Sequence, residues 1–292
     1  MHAPVMVGEV LEQLQPSRGG VFVDGTVGLG GHARAMLEAG ATRVIGIDRD
    51  RSALALATAA LAEFTDRIEL VHGDYRDLAQ VLAARGMSSV DGVLVDLGVS
   101  SMQLDEAGRG FSFRRDEPLD MRMDQSSGAT AADAIATVDE RTLADVIFQY
   151  GEERYSRRIA RNIVSARAEA PIETTARLAD VVRRSVPRRG YERIDPATRT
   201  FQAIRIWVNR ELEGLDAFLE RGVGLLNPAG RMAVISFHSL EDRIVKHTFR
   251  RLQQREPGLT IRTKRPIVPG DDESERNPRA RSAKLRAIER QR

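Results

Sequence analysis

Four short apolar runs, each closed by an aspartate, constrain this chain more than any other feature. They are Val21-Phe22-Val23-Asp24, Val44-Ile45-Gly46-Ile47-Asp48, Ile68-Glu69-Leu70-Val71 with Asp74 just beyond, and Val93-Leu94-Val95-Asp96. Runs this short, rich in Val and Ile, read as buried strands rather than helices. Helical stretches lie between them. One covers 33–39, and another runs from Arg51 to Phe64 with Asp50 placed to cap it. Strands alternating with helices predict a parallel, doubly wound sheet of the α/β class. Ligands of such sheets bind outside the carboxyl ends of the strands, where the four aspartates stand.

The pattern then changes. Residues 103–124 form a loop rich in Asp, Arg, Gly and Met, and 129–186 carry apolar residues at helical spacing. Leu143, Val146, Ile147 and Tyr150 fit i, i+3, i+4, i+7, as do Leu178, Val181, Val182 and, a turn on, Val186. These residues predict an inserted all-helical subdomain. Asp195-Pro196 then starts a helix, with Phe201, Ile204, Val208, Leu212, Leu215 and Leu219 as one long apolar stripe. A fifth strand is expected at 232–237, a helix at 240–252, a strand near 259–263 and a mobile loop at 266–282. The domain reading is a discontinuous sheet domain, 1–105 and 200–292, around a helical substrate-recognition domain, 106–199.

Composition narrows the chemistry. There are no cysteines, so disulfides, thiolate metal sites and cysteine nucleophiles are excluded. Methylation at C5 of a pyrimidine, which proceeds through a cysteine adduct, lacks its nucleophile. No stretch approaches the roughly 18 apolar residues of a membrane span. Met1-His2-Ala3-Pro4 lacks the pattern of a signal peptide, so a cytoplasmic protein is expected. The first hundred residues hold 8 Lys/Arg and 13 Asp/Glu, and the other 192 hold 36 and 29. An acidic front and a basic remainder suggest that the basic part faces a polyanion; a solvated surface is the plainer alternative.

The turn after the first strand is Asp24-Gly25-Thr26-Val27-Gly28-Leu29-Gly30-Gly31-His32. Gly28-x-Gly30-x-x-Ala33 satisfies the dinucleotide fingerprint and Asp48 lies where a ribose-binding acid belongs, so a nicotinamide-dependent dehydrogenase competes. After the third strand, Asp74 is placed to accept from an adenine amino group and Tyr75 to stack on the ring. Asp96-Leu97-Gly98-Val99-Ser100-Ser101 follows the fourth. S-adenosylmethionine carries an ammonium, a ribose diol, an adenine and a sulfonium but no phosphate. A carboxylate rim suits that ligand and repels a pyrophosphate, which favours methyl transfer over hydride transfer.

Longer motifs run through the chain in order: DGTVGLGGH (24–32), GIDRD (46–50), DLGVSS with QLD (96–105), RGFSF (109–113), PLDMRMD (118–124), YGEER (150–154), PATRTFQAIRIWVN (196–209), ISFHSLEDRIVK (235–246) and NPRARS (277–282). On these motifs the sequence resembles the bacterial MraW family, the ribosomal RNA small subunit methyltransferase H proteins, from about Pro4 to the C-terminus. The resemblance implies a Rossmann-like methyltransferase sheet that uses S-adenosylmethionine to methylate N4 of a cytidine in the decoding centre of 16S rRNA. It implies cofactor contacts at Gly30, Gly31, His32, Asp48, Tyr75, Asp96 and Gln103, with 16S rRNA or the small ribosomal subunit as partner. The competing class is a non-catalytic rRNA-binding assembly factor.

For the proton acceptor, Asp96 or a neighbouring carbonyl is the candidate, with Ser100 and Ser101 assisting. No metal is expected, because the sulfonium is itself the electrophile. Arg154, Arg157, Arg158 and Arg161, read as one helical face, with Arg183 and Arg184 in a second cluster, are the candidate RNA contacts. The basic tail 276–292 makes a third patch. Phe111 and Phe113 are candidates to stack a flipped base or to fill a core. Asp120 and Asp124 read as a salt-bridged loop around Arg122 rather than a metal site. For His238, with Ser236 and Ser239, the reading is a role in holding the target base or simple helix capping by Ser239, rather than nucleophilic catalysis.

Overall fold

The computed structural model describes residues 4–99, 103–104, 106–187 and 195–292. In chain order its strands are β1 (Val21–Asp24), β2 (Arg43–Asp48), β3 (Ile68–His72), β4 (Val90–Asp96), β5 (Leu226–Ser236), β6 (Leu259–Ile261) and β7 (Lys284–Arg290). The helices are α1 (Val7–Leu14), α2 (Gly31–Glu38), α3 (Arg51–Ala60), α4 (Leu78–Ala83), α5 (Ala131–Thr137), α6 (Glu140–Gly151), α7 (Ser156–Glu169), α8 (Thr175–Ser185), α9 (Ala197–Val208), α10 (Leu215–Gly224), α11 (Ser239–Arg255) and α12 (Asp271–Arg276). The chain divides into two compact units, Met1–Gly98 with Leu212–Arg292, and Val99–Glu211.

The first unit is built on one seven-stranded sheet in the order β3-β2-β1-β4-β5-β7-β6. β1 to β5 pair in parallel; β7 runs antiparallel to both β5 and β6. Successive side chains on a strand face opposite ways. Val23, Ile45, Val95 and Val234 therefore enter one core with Phe218 and Phe249. Their neighbours Phe22, Val44, Leu94 and Ile235 enter the other with Met36, Leu37 and Ala57. Burial on both faces explains why these strands read as continuous apolar runs. The chain leaves β1 for β2 on one side and lies beside β4 on the other. The carboxyl ends of β1 and β4 thus flank the switch point of the sheet, the place where such folds bind ligands.

Several expectations need correction here. The stripe from Phe201 to Leu219 is two helices, not one. α9 ends at Val208 with Asn209 as its cap, Arg210 adopts φ 51°, and Gly214 caps α10 at φ 68°. The stripe is split because it serves two cores: Phe201 and Ile204 fill the helical unit's, while Leu215 and Leu219 fill the sheet's. The helical unit accordingly extends to Glu211, beyond the boundary read at 199. β5 starts at Leu226, and its pairing with β4 jumps from Val90↔Leu226 to Gly92↔Arg231, so 227–230 bulge out of the strand. The stretch 266–282 is ordered as α12 and a 3-10 turn, with Ile267 bridged to Leu285. The tail 276–292 holds a 3-10 turn and the strand β7. Arg286 in it is buried and paired with Asp242 at 2.6 Å, so the third basic patch is in part sheet structure.

The second unit contains α5 to α9 around Ile135, Leu143, Ile147, Ile159, Ile163, Leu178, Val182, Phe201 and Ile204. Thr130 and Asp133 form a reciprocal capping box at the start of α5. Asp139 and Thr174 cap α6 and α8. Asn209 locks the preceding loop by donating to the Met121 carbonyl and accepting from the Met123 N–H, both at 2.7 Å.

Candidate active site

Asp24 ends β1, and the chain must turn at once into α2. Gly28 (φ 51°) and Gly30 (φ 84°, the N-cap of α2) adopt the left-handed conformation that the turn requires and that glycine adopts without strain. The turn is tied to the rim of β2. Asp48 accepts from the Gly28 N–H at 2.8 Å and from the Asp50 N–H at 2.9 Å. Burial still holds the Asp48 carboxyl above its ordinary range against those two bonds. Thr26 ties the turn to β4: its hydroxyl accepts from the Asp96 N–H at 2.7 Å, and its own N–H donates to Asp24 at 3.3 Å.

These ties bring Asp24, His32 and Asp96 together. Asp24 is 1% exposed and His32 6%. His32 Nε2 stands 3.7 Å from Asp96 Oδ2, an ionic contact too long for a hydrogen bond. Asp24 Oδ2, Asp96 Oδ1 and both ring nitrogens of His32 have no hydrogen-bond partner. Buried polar atoms without partners are uncommon in folded proteins, and each calls for a reason. Burial pushes the Asp24 carboxyl up to about 7, only partly offset by His32. Burial also pulls the His32 imidazolium down, but Asp96, Asp24 and Glu273 outweigh it and the net shift is upward. The result is an acid-rich cluster around one imidazole, suited to a cationic ligand and hostile to a pyrophosphate.

Two residues that sequence reasoning did not single out bear on this turn. A Cβ placed on Gly31 would stand 2.8 Å from Pro4 Cγ, so the N-terminal segment packs directly on the turn. The Met6 N–H donates to Glu273 Oε1 at 2.7 Å, which ties that segment to α12. Nothing in the local sequence of Glu273 signals that role.

Other predicted residues fall in different settings. Asp74 is committed to ion pairs with Arg49 (2.5 Å) and Arg76 (2.6 Å), and the net effect lowers its pKa despite burial. It is a structural anchor rather than an acceptor open to an adenine. Tyr75 is buried with its ring edge-on to Phe218 at 4.7 Å. Gln103 is buried and belongs to the helical unit. Ser100 and Ser101 lie outside the described residues.

His238, not Ser239, caps α11, accepting from the Glu241 N–H and standing 3.1 Å from Glu241 Oε1. Phe111 is buried in the helical core, and Phe113 packs edge-on to Phe201 at 4.7 Å. Phe111 is a core residue, and Phe113 is half-buried against that core. Asp120 is held by Arg122 at 2.7 Å, as a salt-bridged loop requires. Arg157, Arg158 and Arg161 are exposed on α7, whereas Arg154 precedes that helix and lies over the Tyr155 ring. Arg184 is exposed; Arg183 is paired with Asp195 and Asp180. Arg188, Arg189 and Arg193 lie outside the described residues.

Sheet order, the glycine turn after β1 and the acids at the strand ends define the class: a Rossmann-like α/β fold of the methyltransferase type. Residues 1–291 match the model of the MraW methylase family, and the chain belongs to that family. It is similar to the ribosomal RNA small subunit methyltransferase H of Syntrophotalea carbinolica, 53% identical over 99% of this chain and 98% of that protein. It is 54% identical to the protein of that name from Deinococcus radiodurans, over 99% and 89%. Among solved structures it aligns over 100% of both chains with an rRNA methylase from Streptococcus thermophilus, at 10% identity and a TM-score of 0.45.

Proposed function

We propose that this enzyme transfers the methyl group of S-adenosylmethionine to N4 of a cytidine in the decoding centre of 16S ribosomal RNA. The observation that carries the reading is the cluster of buried, unpartnered acid and imidazole groups at the ends of β1 and β4, in a chain whose relatives are named for rRNA methylation. Gly30, Gly31 and His32 hold the cofactor from the first turn, Asp48 from β2, Tyr75 from the turn after β3 and Asp96 from β4, with Gln103 as a further contact. When bound, the sulfonium supplies the electrophilic methyl. The carboxylate rim favours its positive charge and disfavours a dinucleotide pyrophosphate, which counts against the dehydrogenase alternative.

The cytosine amine is a weak nucleophile because its lone pair is delocalised into the ring. Asp96 has a carboxylate oxygen without a partner at the sheet rim, placed to orient that amine and accept its proton. Ser100 and Ser101 follow it in the chain and assist in holding the base. The helical unit is the substrate-recognition domain. The outer face of α7, with Arg157, Arg158 and Arg161, contacts rRNA phosphates, joined by Arg154, Arg183 and Arg184. No helix among the described residues is long and apolar enough to cross a membrane, and the enzyme works in the cytoplasm.

The test is methyl transfer from labelled S-adenosylmethionine to small subunits of a strain lacking its own copy, followed by mass spectrometry of the nucleosides. N4-methylated cytidine is expected. Label in another nucleoside overturns the assignment of the target atom, and no transfer with intact cofactor binding favours a non-catalytic assembly factor.

A further inference from the structure

Asp24 has no role in the methyl transfer described above, and with the cofactor-holding His32 it makes a closely confined pair of titratable groups at the rim. Asp24, on β1, faces His32 from α2, Asp96 from β4 and Asp48 from β2. His32 faces Asp96, Asp24 and, from α12, Glu273. Arg49 next to Asp48 adds a positive charge on the β2 side. Thr26 satisfies one oxygen of Asp24; the other oxygen and both imidazole nitrogens are buried without hydrogen-bond partners. Three or four carboxylates around one imidazole cannot all be ionised at neutral pH in so enclosed a space without a compensating cation.

We propose that Asp24 and His32 together hold a dissociable proton that stands in for the positive charge of the methyl donor, and that donor binding expels this proton into solvent. The inference rests on the reading that S-adenosylmethionine binds at this rim. The balance is simple. Before binding, the pair carries one proton more than afterwards. The incoming ligand brings positive charge, and the proton leaves to buffer, so the field on Asp96 and Asp48 is nearly unchanged between the two states. Asp24 is a positioning residue in this account, acting through His32 and the field, not through contact. Burial holds the Asp24 carboxyl up at about 7 and the surrounding carboxylates shift His32 upward, and in so close a cluster neither proton belongs wholly to one residue.

The test is calorimetric titration of the full chain with S-adenosylmethionine at pH 6.5, in two buffers of different ionisation enthalpy. At that pH the ligand's own α-amino group is already charged. The expected result is release of between about half a proton and one proton per ligand bound. Asp24→Asn and His32→Asn, made separately, each reduce the release at least about twofold. Asp24→Ser provides a second substitution should the amide misfold. Sinefungin, whose charged amine replaces the sulfonium, repeats the release, whereas 5′-methylthioadenosine, which carries neither charge, binds without it. Binding with the same enthalpy in both buffers overturns the inference and leaves the cofactor assignment standing. Failure of the wild-type protein to bind the donor at all overturns the reading on which it rests.

Discussion

In the helical unit, Arg205 and the buried Glu211 form an ion pair at 2.8 Å, and the buried Arg109 reaches Glu106 and the carbonyls of Arg122 and Met123. At the sheet rim, Asp24 and His32 are equally enclosed and, with the half-buried Asp96, leave ring nitrogens and carboxylate oxygens without hydrogen-bond partners. The helical unit thus pairs its buried Glu211 with an arginine, whereas the rim leaves carboxylate and imidazole atoms without hydrogen-bond partners. Paired buried charges fix a loop or a helix end. Unpaired ones store unfavourable electrostatic energy that a ligand of the right charge relieves. The contrast marks where binding happens more sharply than the glycine turn does, because a tight strand–helix turn also occurs in folds that bind nothing there.

The contrast can be broken or sharpened by substitution. The largest effect is expected at the rim itself. Asp96→Asn should slow single-turnover methyl transfer at saturating cofactor by about 100-fold or more, the scale of removing a proton acceptor. A full rate would remove Asp96 from the chemistry.

Next in size is a change that separates stability from function. The Asp24 carboxyl rises from 3.8 to about 7 on folding. The native state therefore holds a proton that the unfolded chain has released, and stability falls as pH rises from about 4 to about 7. Asp24→Asn removes that penalty. It should leave stability at pH 4 nearly unchanged and raise it at pH 8 by up to about 4 kcal/mol, measured by denaturant unfolding at the two pH values. A variant less stable than wild type at pH 8 would show the carboxylate to be well paired and the contrast false.

The helical unit should respond in the opposite sense. Arg205→Ala leaves Glu211 buried without its partner and should lower stability by roughly 2–3 kcal/mol with no pH-dependent gain. Stability within a few tenths of wild type would make that pair ornamental.

Much of this contrast was legible in the sequence, and the limits are physical. The four strand-end aspartates stand out because parallel strands buried on both faces leave polarity only at their ends. What sequence could not separate was an open acid from a committed one. Asp74 looks equivalent to Asp24 and Asp96, yet Arg49 and Arg76 neutralise it, one from the preceding rim and one from its own turn. β7 was hidden because Lys284, Arg286 and Arg290 read as a phosphate-binding tail. The ion pairs with Asp242 and Glu256 that draw Arg286 and Arg290 into the sheet unit are long-range. The break between α9 and α10 was hidden for a related reason: apolar spacing persists through it, although the two halves face different cores.

The smallest effect is on RNA. Reversing Arg157, Arg158 and Arg161 to Glu should weaken rRNA binding and lower the slope of log K against log salt concentration by about one for each phosphate no longer neutralised, with cofactor affinity unchanged. Arg184→Glu belongs in the same series. Arg183 is a poorer probe, since its change also strands Asp180 and Asp195. An unchanged salt slope would show that α7 presents only a solvated face.

The claim on which everything else depends is that the open charges at the ends of β1 and β4 are the donor site. A crystal of the protein with S-adenosylhomocysteine tests it most directly. The ligand is predicted against the turn from Gly28 to His32, between Asp48 and Asp96, with at least one of the unpartnered atoms of His32 or Asp96 now hydrogen-bonded. A ligand lodged elsewhere, with those atoms still unpartnered, would contradict the account.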